Sequence, residues 1–191
     1  MKISYCTTCQ GRLWQLKKTI NHNLRYTSVG EVELLILFYN DYHASIELAA
    51  EFQAAIADGR LRIINRTENV TFKDGSTWSY GYTKDIVHMA AYGDVLFNLD
   101  ADNFIDDTLH HTLLNLQPNE VVITKQSEWS TDGRSGRIGL HKSLYGVVRY
   151  GDDGRRDDIE LMNQCVGQRV KFREVSCKYT PVPNDPEGAK T

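Results

Sequence analysis

The sequence predicts a three-layer α/β/α domain built on a mostly parallel central sheet. Short apolar runs alternate with amphipathic segments along all 191 residues, an order typical of strands connected by helices. The run from Glu33 to Tyr39 is almost continuously apolar, as in a strand that is covered on both faces. A chain of this length can bury one sizeable core and is short for two.

Each element follows from its own pattern. Residues 3–6 form a short first strand, and 13–20 form a helix with Leu13, Leu16 and Ile20 on one face. The Ala-rich segment 44–57 is amphipathic and predicts one helix. Asp106 is placed to cap a helix that runs to Leu116. The other predicted strands are 33–39, 60–64, 94–99, 121–124, 137–140 and an edge strand at 169–176, and the other helices are 83–92 and 158–167.

Composition and charge narrow the class of protein. The chain is 41% hydrophobic and 25% charged, with a net charge of −3, which disfavours coating of nucleic acid by bulk electrostatics. No apolar stretch approaches the ~20 residues that span a bilayer, and no signal peptide precedes the first strand. We therefore expect a cytoplasmic protein with no membrane partner, in which the four cysteines are free thiols.

An acidic motif follows one of the predicted strands. The apolar run 95–99 ends at Asp100 and Asp102, whose side chains point the same way in an extended chain. Paired carboxylates suit Mg²⁺ or Mn²⁺, the ions that accompany diphosphates. With 15 aspartates, chance alone yields about one Asp-X-Asp, so the preceding strand is what makes the motif informative.

Five segments lie where predicted strands end or predicted helices begin. They are 7–12 (Thr-Thr-Cys-Gln-Gly-Arg), 40–41 (Asn-Asp), 84–85 (Lys-Asp), 98–103 (Asn-Leu-Asp-Ala-Asp-Asn) and 150–161, which contains Asp157 and Asp158. With these five segments in this order, the chain resembles the small GT-A glycosyltransferases of the family 2 type. It also has features of the galactosyltransferase C-terminal region. The resemblance runs from Lys2 to about Gln168, although Asp85 replaces the family's asparagine.

The resemblance implies a GT-A fold and a metal-dependent, inverting transfer of a sugar from a nucleotide-diphosphate donor to an acceptor hydroxyl. UDP-sugars are the commonest donors in this family. Asp100 and Asp102 are implied as ligands of Mn²⁺ or Mg²⁺, and Asp158, beside Asp157, as the catalytic base. The implied donor-binding residues are Thr7, Thr8, Gln10, Arg12, Asn40, Asp41, Lys84, Asp100 and Ala101.

We expect one domain over residues 1–180, with 1–103 binding the nucleotide sugar and 104–180 the acceptor, followed by a flexible tail at 181–191. The resemblance implies a glycan or a hydroxylated base in DNA as the acceptor. The DNA acceptor stays open because residues 134–178 carry ten Lys or Arg against six Asp or Glu. Aromatic residues near the cleft, among them Trp78, Tyr80 and Trp129, are candidates for stacking on a sugar or base.

Simpler interpretations stay open. Asp157 and Asp158 are also placed to stabilise a helix N-terminus, and Arg12 to lie solvated on a helix. The protein as a whole could be a catalytically inert nucleotide-sugar-binding module. A nucleotidylyltransferase shares the architecture but needs a Gly-rich first loop, and residues 6–12 contain one glycine.

Overall fold

The computed structural model describes residues 1–72, 75–125, 134–151 and 157–184, with the side chains of 134–136 outside that description. Seven strands form one sheet in the order β3-β2-β1-β4-β6-β5-β7. The strands are β1 Ile3–Cys9, β2 Val32–Tyr39, β3 Leu61–Arg66, β4 Val95–Asn98, β5 Glu120–Lys125, β6 Arg134–His141 and β7 Lys171–Ser176.

The sheet is mostly parallel, as the sequence predicts. Strand β1 pairs in parallel with β2 and with β4, and β2 pairs in parallel with β3. Strand β5 pairs in parallel with β7. Strand β6 runs antiparallel to both of its neighbours, β4 and β5. All eight residues of β2 are buried, which agrees with a strand that is covered on both faces.

Helices cover both faces of the sheet and complete the three layers. Alternate strand residues separate two apolar clusters, with Leu34 and Ile36 on one face and Leu35 and Leu37 on the other. The first face packs on α1, α2, α3 and α5, and the second packs on α4, α6 and α7. The helices are α1 Leu13–Asn23, α2 Tyr42–Glu51, α3 Gln53–Ala57, α4 Tyr80–Ala90, α5 Asp107–Leu114, α6 Lys142–Tyr145 and α7 Asp157–Gly167.

One predicted element differs from the structure, and the cause is a tertiary contact. The segment expected as one helix at 44–57 is broken at Phe52, whose φ of −119° and ψ of 30° lie outside the helical region. Phe52 packs on the first apolar cluster, and this tertiary contact cannot be predicted from the Ala-rich segment alone. By contrast, Asp106 caps α5 as expected, because its Oδ1 accepts a hydrogen bond from Leu109 N at 2.8 Å.

The structure describes only part of the chain after β7. Residues 181–184, the first part of the tail expected to be flexible, make hydrogen bonds with the domain that are described below. Residues 185–191 lie outside the described part, as do the acids Asp152 and Asp153 and the aromatic Trp129. Among the helices that the structure describes, none combines the length and apolar character needed to cross a membrane.

Candidate active site

A cleft of about 700 Å³ opens where β1 and β4 end. These strands are neighbours, and Thr7 Oγ1 donates to the Leu99 carbonyl at 2.7 Å, so the loops that follow them emerge together. In α/β sheets, the carboxyl ends of parallel strands are where ligands bind. The lining residues are Thr8, Gln10, Arg12, Trp78, Tyr80, Lys84, Asp100, Ala101, Asp102, Asp157, Asp158 and Asn184.

The two carboxylates of the Asp-X-Asp motif both line this cleft. Asp100 Oδ1 accepts from Asn98 Nδ2 at 3.0 Å, and Asp102 Oδ1 accepts from Asn103 Nδ2 at 2.7 Å. Burial, reinforced by the negative charge of Asp100, raises the pKa of Asp102 to about 6. A cation beside these carboxylates would offset that cost. Within the described residues, no group of three or more His, Cys, Asp and Glu side chains has the arrangement of a metal site.

Lys84 and the acid pair at the start of α7 form the second polar cluster of the cleft. Lys84 Nζ lies 2.7 Å from Asp157 Oδ2 and 2.8 Å from Asp158 Oδ1. Burial lowers the pKa of Lys84, but the charges of Asp158, Asp100 and Asp157 outweigh burial and raise it well above its usual value. Burial raises the pKa of Asp158 against the opposing effect of the Lys84 charge.

A glycine lets α4 approach this acid pair. A Cβ on Gly81 would lie 1.6 Å from the Gly151 carbonyl oxygen and 3.1 Å from Asp157 Cβ. Only a residue without a side chain allows the first turn of α4 to pack this closely. Ser79 caps the same helix by accepting a hydrogen bond from Tyr82 N. The first turn of α4, directly before Lys84, therefore lies against the Gly151 backbone and Asp157.

The loop after β1 brings Arg12 into the lining of the cleft. Gly11 takes a φ of 64°, a left-handed conformation that suits glycine, and its N–H donates to Asp41 Oδ2 at 2.9 Å. Arg12 follows directly, at the N-terminus of α1, and its guanidinium lines the cleft. A cationic side chain at the start of a helix is placed to meet an anionic ligand.

Three predicted donor residues make structural contacts beside the cleft. The Thr7 side chain is 1% exposed and is bonded to Leu99. Asn40 has a φ of 53°, and its Oδ1 accepts from Glu68 N at 2.8 Å. Asp41 holds Gly11, as described. The six other predicted donor residues line the cleft: Thr8, Gln10, Arg12, Lys84, Asp100 and Ala101. The donor role of all nine residues stays a prediction.

Asp85, the departure from the family pattern, has a separate function in the fold. Its carboxylate accepts from Tyr145 Oη at 2.8 Å and from Arg149 Nε at 2.8 Å, and Arg149 Nη2 contacts the second oxygen. The contact with Arg149 is bidentate, a geometry that favours strong ion pairs. Asp85 thus ties α4 to the segment that leads towards α7, while Lys84 faces the acid pair.

Two residues near the cleft were not found by sequence reasoning. Gln15 is 1% exposed on α1 and bonds to residues 182 and 183, while Asn184 lines the cleft and bonds to Arg12. A single Gln in an amphipathic helix and an Asn in a Pro-rich tail give no sequence signal. Their meeting depends on how the chain after β7 folds back.

The chain has the GT-A fold of nucleotide-sugar glycosyltransferases. A mannosyltransferase from Pyrobaculum calidifontis, in complex with GDP-Man and Mn²⁺, matches 98% of this chain and 58% of its own, with a TM-score of 0.73 and 11% identity. Glucosyl-3-phosphoglycerate synthase from Mycobacterium tuberculosis, in complex with Mn²⁺, UDP-Glc and phosphoglyceric acid, matches 92% of this chain and 69% of its own, with a TM-score of 0.67 and 16% identity.

A nucleotidyl transferase from Methanothermobacter has the same architecture. It matches 93% of this chain and 88% of its own, with a TM-score of 0.60 and 15% identity. No family model matches the sequence, and no curated protein matches it in sequence. The present chain spans less than two thirds of the length of the mannosyltransferase. Sequence identities of 11–16% establish a shared fold and no more.

Proposed function

We propose that this protein is a glycosyltransferase that moves a sugar from a nucleotide-diphosphate donor, most simply a UDP-sugar, to an acceptor hydroxyl. The observation that carries the proposal is the convergence of two polar clusters on one cleft. Asp100 and Asp102 lie at the end of β4, and Asp158 lies at the start of α7. Sugar transfer needs both a cationic site for the departing diphosphate and a carboxylate for the acceptor proton.

The first cluster fits a divalent cation. Asp100 and Asp102 supply carboxylate oxygens, the donor type that Mn²⁺ and Mg²⁺ share. Burial and mutual repulsion raise the pKa of Asp102, which is the condition that a bound cation relieves. Such a cation would neutralise charge on the leaving diphosphate. Arg12 lines the same cleft, where its charge lowers the pKa of Asp102 in part, and it is placed to bind the same diphosphate.

The second cluster fits a general base. Asp158 keeps its side chain 29% exposed, whereas that of Asp157 is 6% exposed. We therefore assign the proton transfer to Asp158 and a supporting role to Asp157. The acceptor hydroxyl would donate its proton to Asp158 as its oxygen attacks the anomeric carbon from the side opposite the diphosphate, so the configuration inverts. Lys84 contacts both carboxylates and orients them.

The acceptor belongs to the same proposal. The lining acids Asp100, Asp102, Asp157 and Asp158 outnumber the lining cations Arg12 and Lys84, so the described part of the cleft favours a neutral acceptor such as a glycan. Trp78 and Tyr80 lie edge to face, with ring centroids 5.7 Å apart, and offer aromatic surface for a sugar ring. The comparisons do not support a DNA acceptor.

The test is metal-dependent release of nucleotide from a panel of NDP-sugars. Many glycosyltransferases hydrolyse their donor slowly, so the assay does not require a known acceptor. We expect release of one NDP with Mn²⁺, its loss in Asp102→Asn, and unchanged release in Asp107→Asn, an exposed aspartate on α5 outside the cleft. Neither release nor metal-dependent NDP binding by the wild type would refute the proposal.

Nucleotidyl transfer is the second candidate, because the structural match with the Methanothermobacter enzyme covers 93% of this chain and 88% of that enzyme. That reaction consumes a nucleoside triphosphate and a sugar phosphate and releases pyrophosphate. Incubation with each triphosphate and a panel of sugar phosphates, read by pyrophosphate release, separates the two reactions. NDP binding without turnover in either assay would instead support an inert nucleotide-sugar-binding module.

A further inference from the structure

The chain after β7 returns to the candidate active site. Lys178 N donates to Asp106 Oδ2 at 2.9 Å, beside the cap of α5. Val182 is buried, and its N–H donates to the Asp102 carbonyl at 2.8 Å. Asn184 then lines the cleft. We call residues 182–184 the C-terminal strap.

Gln15 anchors the strap to α1. Its side chain is buried, and Nε2 donates to the carbonyls of Val182 at 3.2 Å and Pro183 at 3.1 Å. A buried amide that lost these partners would keep its full desolvation cost. The strap is therefore held on both sides, by the Asp102 backbone in the loop after β4 and by Gln15 on α1.

Asn184 in turn holds Arg12. Arg12 Nη1 donates to Asn184 Oδ1 at 2.9 Å and lies 3.5 Å from Gln15 Oε1. Both contacts use the same nitrogen. The edge formed by Nε and Nη2 has no side-chain partner among the described residues, and this edge suits the bidentate binding of phosphate.

We propose that Asn184 is a positioning residue of the donor site, which holds Arg12 by one nitrogen so that its other edge faces the donor's diphosphate. The inference rests on the proposed function. The strap links the two sides of the diphosphate site, because Val182 is bonded to the loop of Asp102 while Asn184 is bonded to Arg12. An arginine fixed before the ligand arrives loses less side-chain entropy on binding.

Calorimetric binding of UDP and GDP, with Mn²⁺ present, tests the inference in the full chain. We expect Asn184→Ala to weaken binding of the preferred nucleotide about tenfold, the usual effect of losing a hydrogen bond to a charged group. Asn184 is exposed, so the melting temperature should not change. Asn119→Ala, an exposed asparagine before β5, is the matched control and should bind as the wild type does.

A double-variant cycle separates positioning from a general effect on the fold. If Asn184 acts through Arg12, Asn184→Ala should cause no further loss in an Arg12→Ala background. A loss that persists in that background would overturn the inference, as would unchanged or tighter binding by the single variant. Tighter binding would mean that the strap competes with the donor. If the wild type binds neither nucleotide, the proposed function fails first.

Discussion

Lys84 Nζ lies 2.7 Å from Asp157 Oδ2, and both side chains are only 6% exposed. This ion pair joins α4 to α7 across the floor of the cleft, and Asp158 shares the same ammonium. A buried ion pair is costly to break from one side, because the remaining charge stays buried without a partner. The pair therefore links the stability of the domain to the geometry of the proposed base.

Removing the ammonium should destabilise the fold. We expect Lys84→Met to lower the free energy of unfolding by about 3 kcal/mol, because Asp157 is left buried and unpaired. Denaturant unfolding measures the change. Lys84→Met combined with Asp157→Asn should recover part of the loss. The control is Lys17→Met, which removes a lysine paired with Glu47 and Glu51 on the surface and should have a much smaller effect.

Gly81 should tolerate no side chain. In Gly81→Ala the new Cβ would meet the Gly151 carbonyl, so α4 must move away from Asp157. We expect a loss of at least about 2 kcal/mol in the free energy of unfolding, together with reduced NDP release. Gly167→Ala is the matched control, because a Cβ there meets nothing within 4 Å. Equal stability of the two variants would contradict the close approach.

The proposed base should affect turnover more than binding. We expect Asp158→Asn to lower the rate of sugar transfer, or of donor hydrolysis, by about 10²–10⁴-fold. Calorimetry should find NDP affinity within a few-fold of the wild type, since Asn keeps the size of the side chain. A variant that loses affinity and rate together would place Asp158 in the donor site instead.

His88 gives the domain a pH-dependent stability. It is fully buried on α4, where Nδ1 bonds to the Lys84 carbonyl at 2.7 Å and the ring stacks on Tyr145. Burial lowers the pKa of His88 to about 4. Between that value and the unfolded pKa of about 6.5, only the unfolded chain binds the proton, so stability falls as the pH falls through this window.

The comparison that isolates His88 is with His88→Phe, which keeps a ring but does not titrate. We expect the wild type to lose about 2 kcal/mol more than the variant in free energy of unfolding between pH 7.5 and pH 5. Denaturant titrations at the two pH values measure the difference. Parallel losses in both proteins would show that other groups, such as the carboxylates, account for the acid sensitivity.

Divalent cations should be needed for nucleotide binding. We expect Mn²⁺ and the preferred NDP together to raise the melting temperature, because a ligand that binds only the folded state stabilises it. A chelator should reverse the rise, and Asp102→Asn should abolish it, whereas Asp107→Asn should retain it. A rise that survives chelation would argue against a metal at Asp100 and Asp102.

Local patterns were enough to predict the layers of the fold. The continuous apolar run of β2 predicted a strand covered on both faces, and Asp106 predicted the start of α5, because both signals depend only on neighbouring residues. The prediction of one continuous helix at 44–57 was wrong in one detail, because the structure has two helices there. Phe52, where the helix breaks, packs on the first apolar cluster, and the segment itself does not encode this tertiary contact.

The sequence by itself determined the α/β architecture and singled out Asp100 and Asp102, which line the cleft. Both predictions rest on local features, namely hydrophobic periodicity and an Asp-X-Asp at the end of a strand. Only the tertiary structure decided which groups meet. Lys84 lies 73 residues before Asp157, and Arg12 lies 172 residues before Asn184. Such contacts form because strand order and close backbone packing bring distant segments together, and no spacing along the chain specifies them.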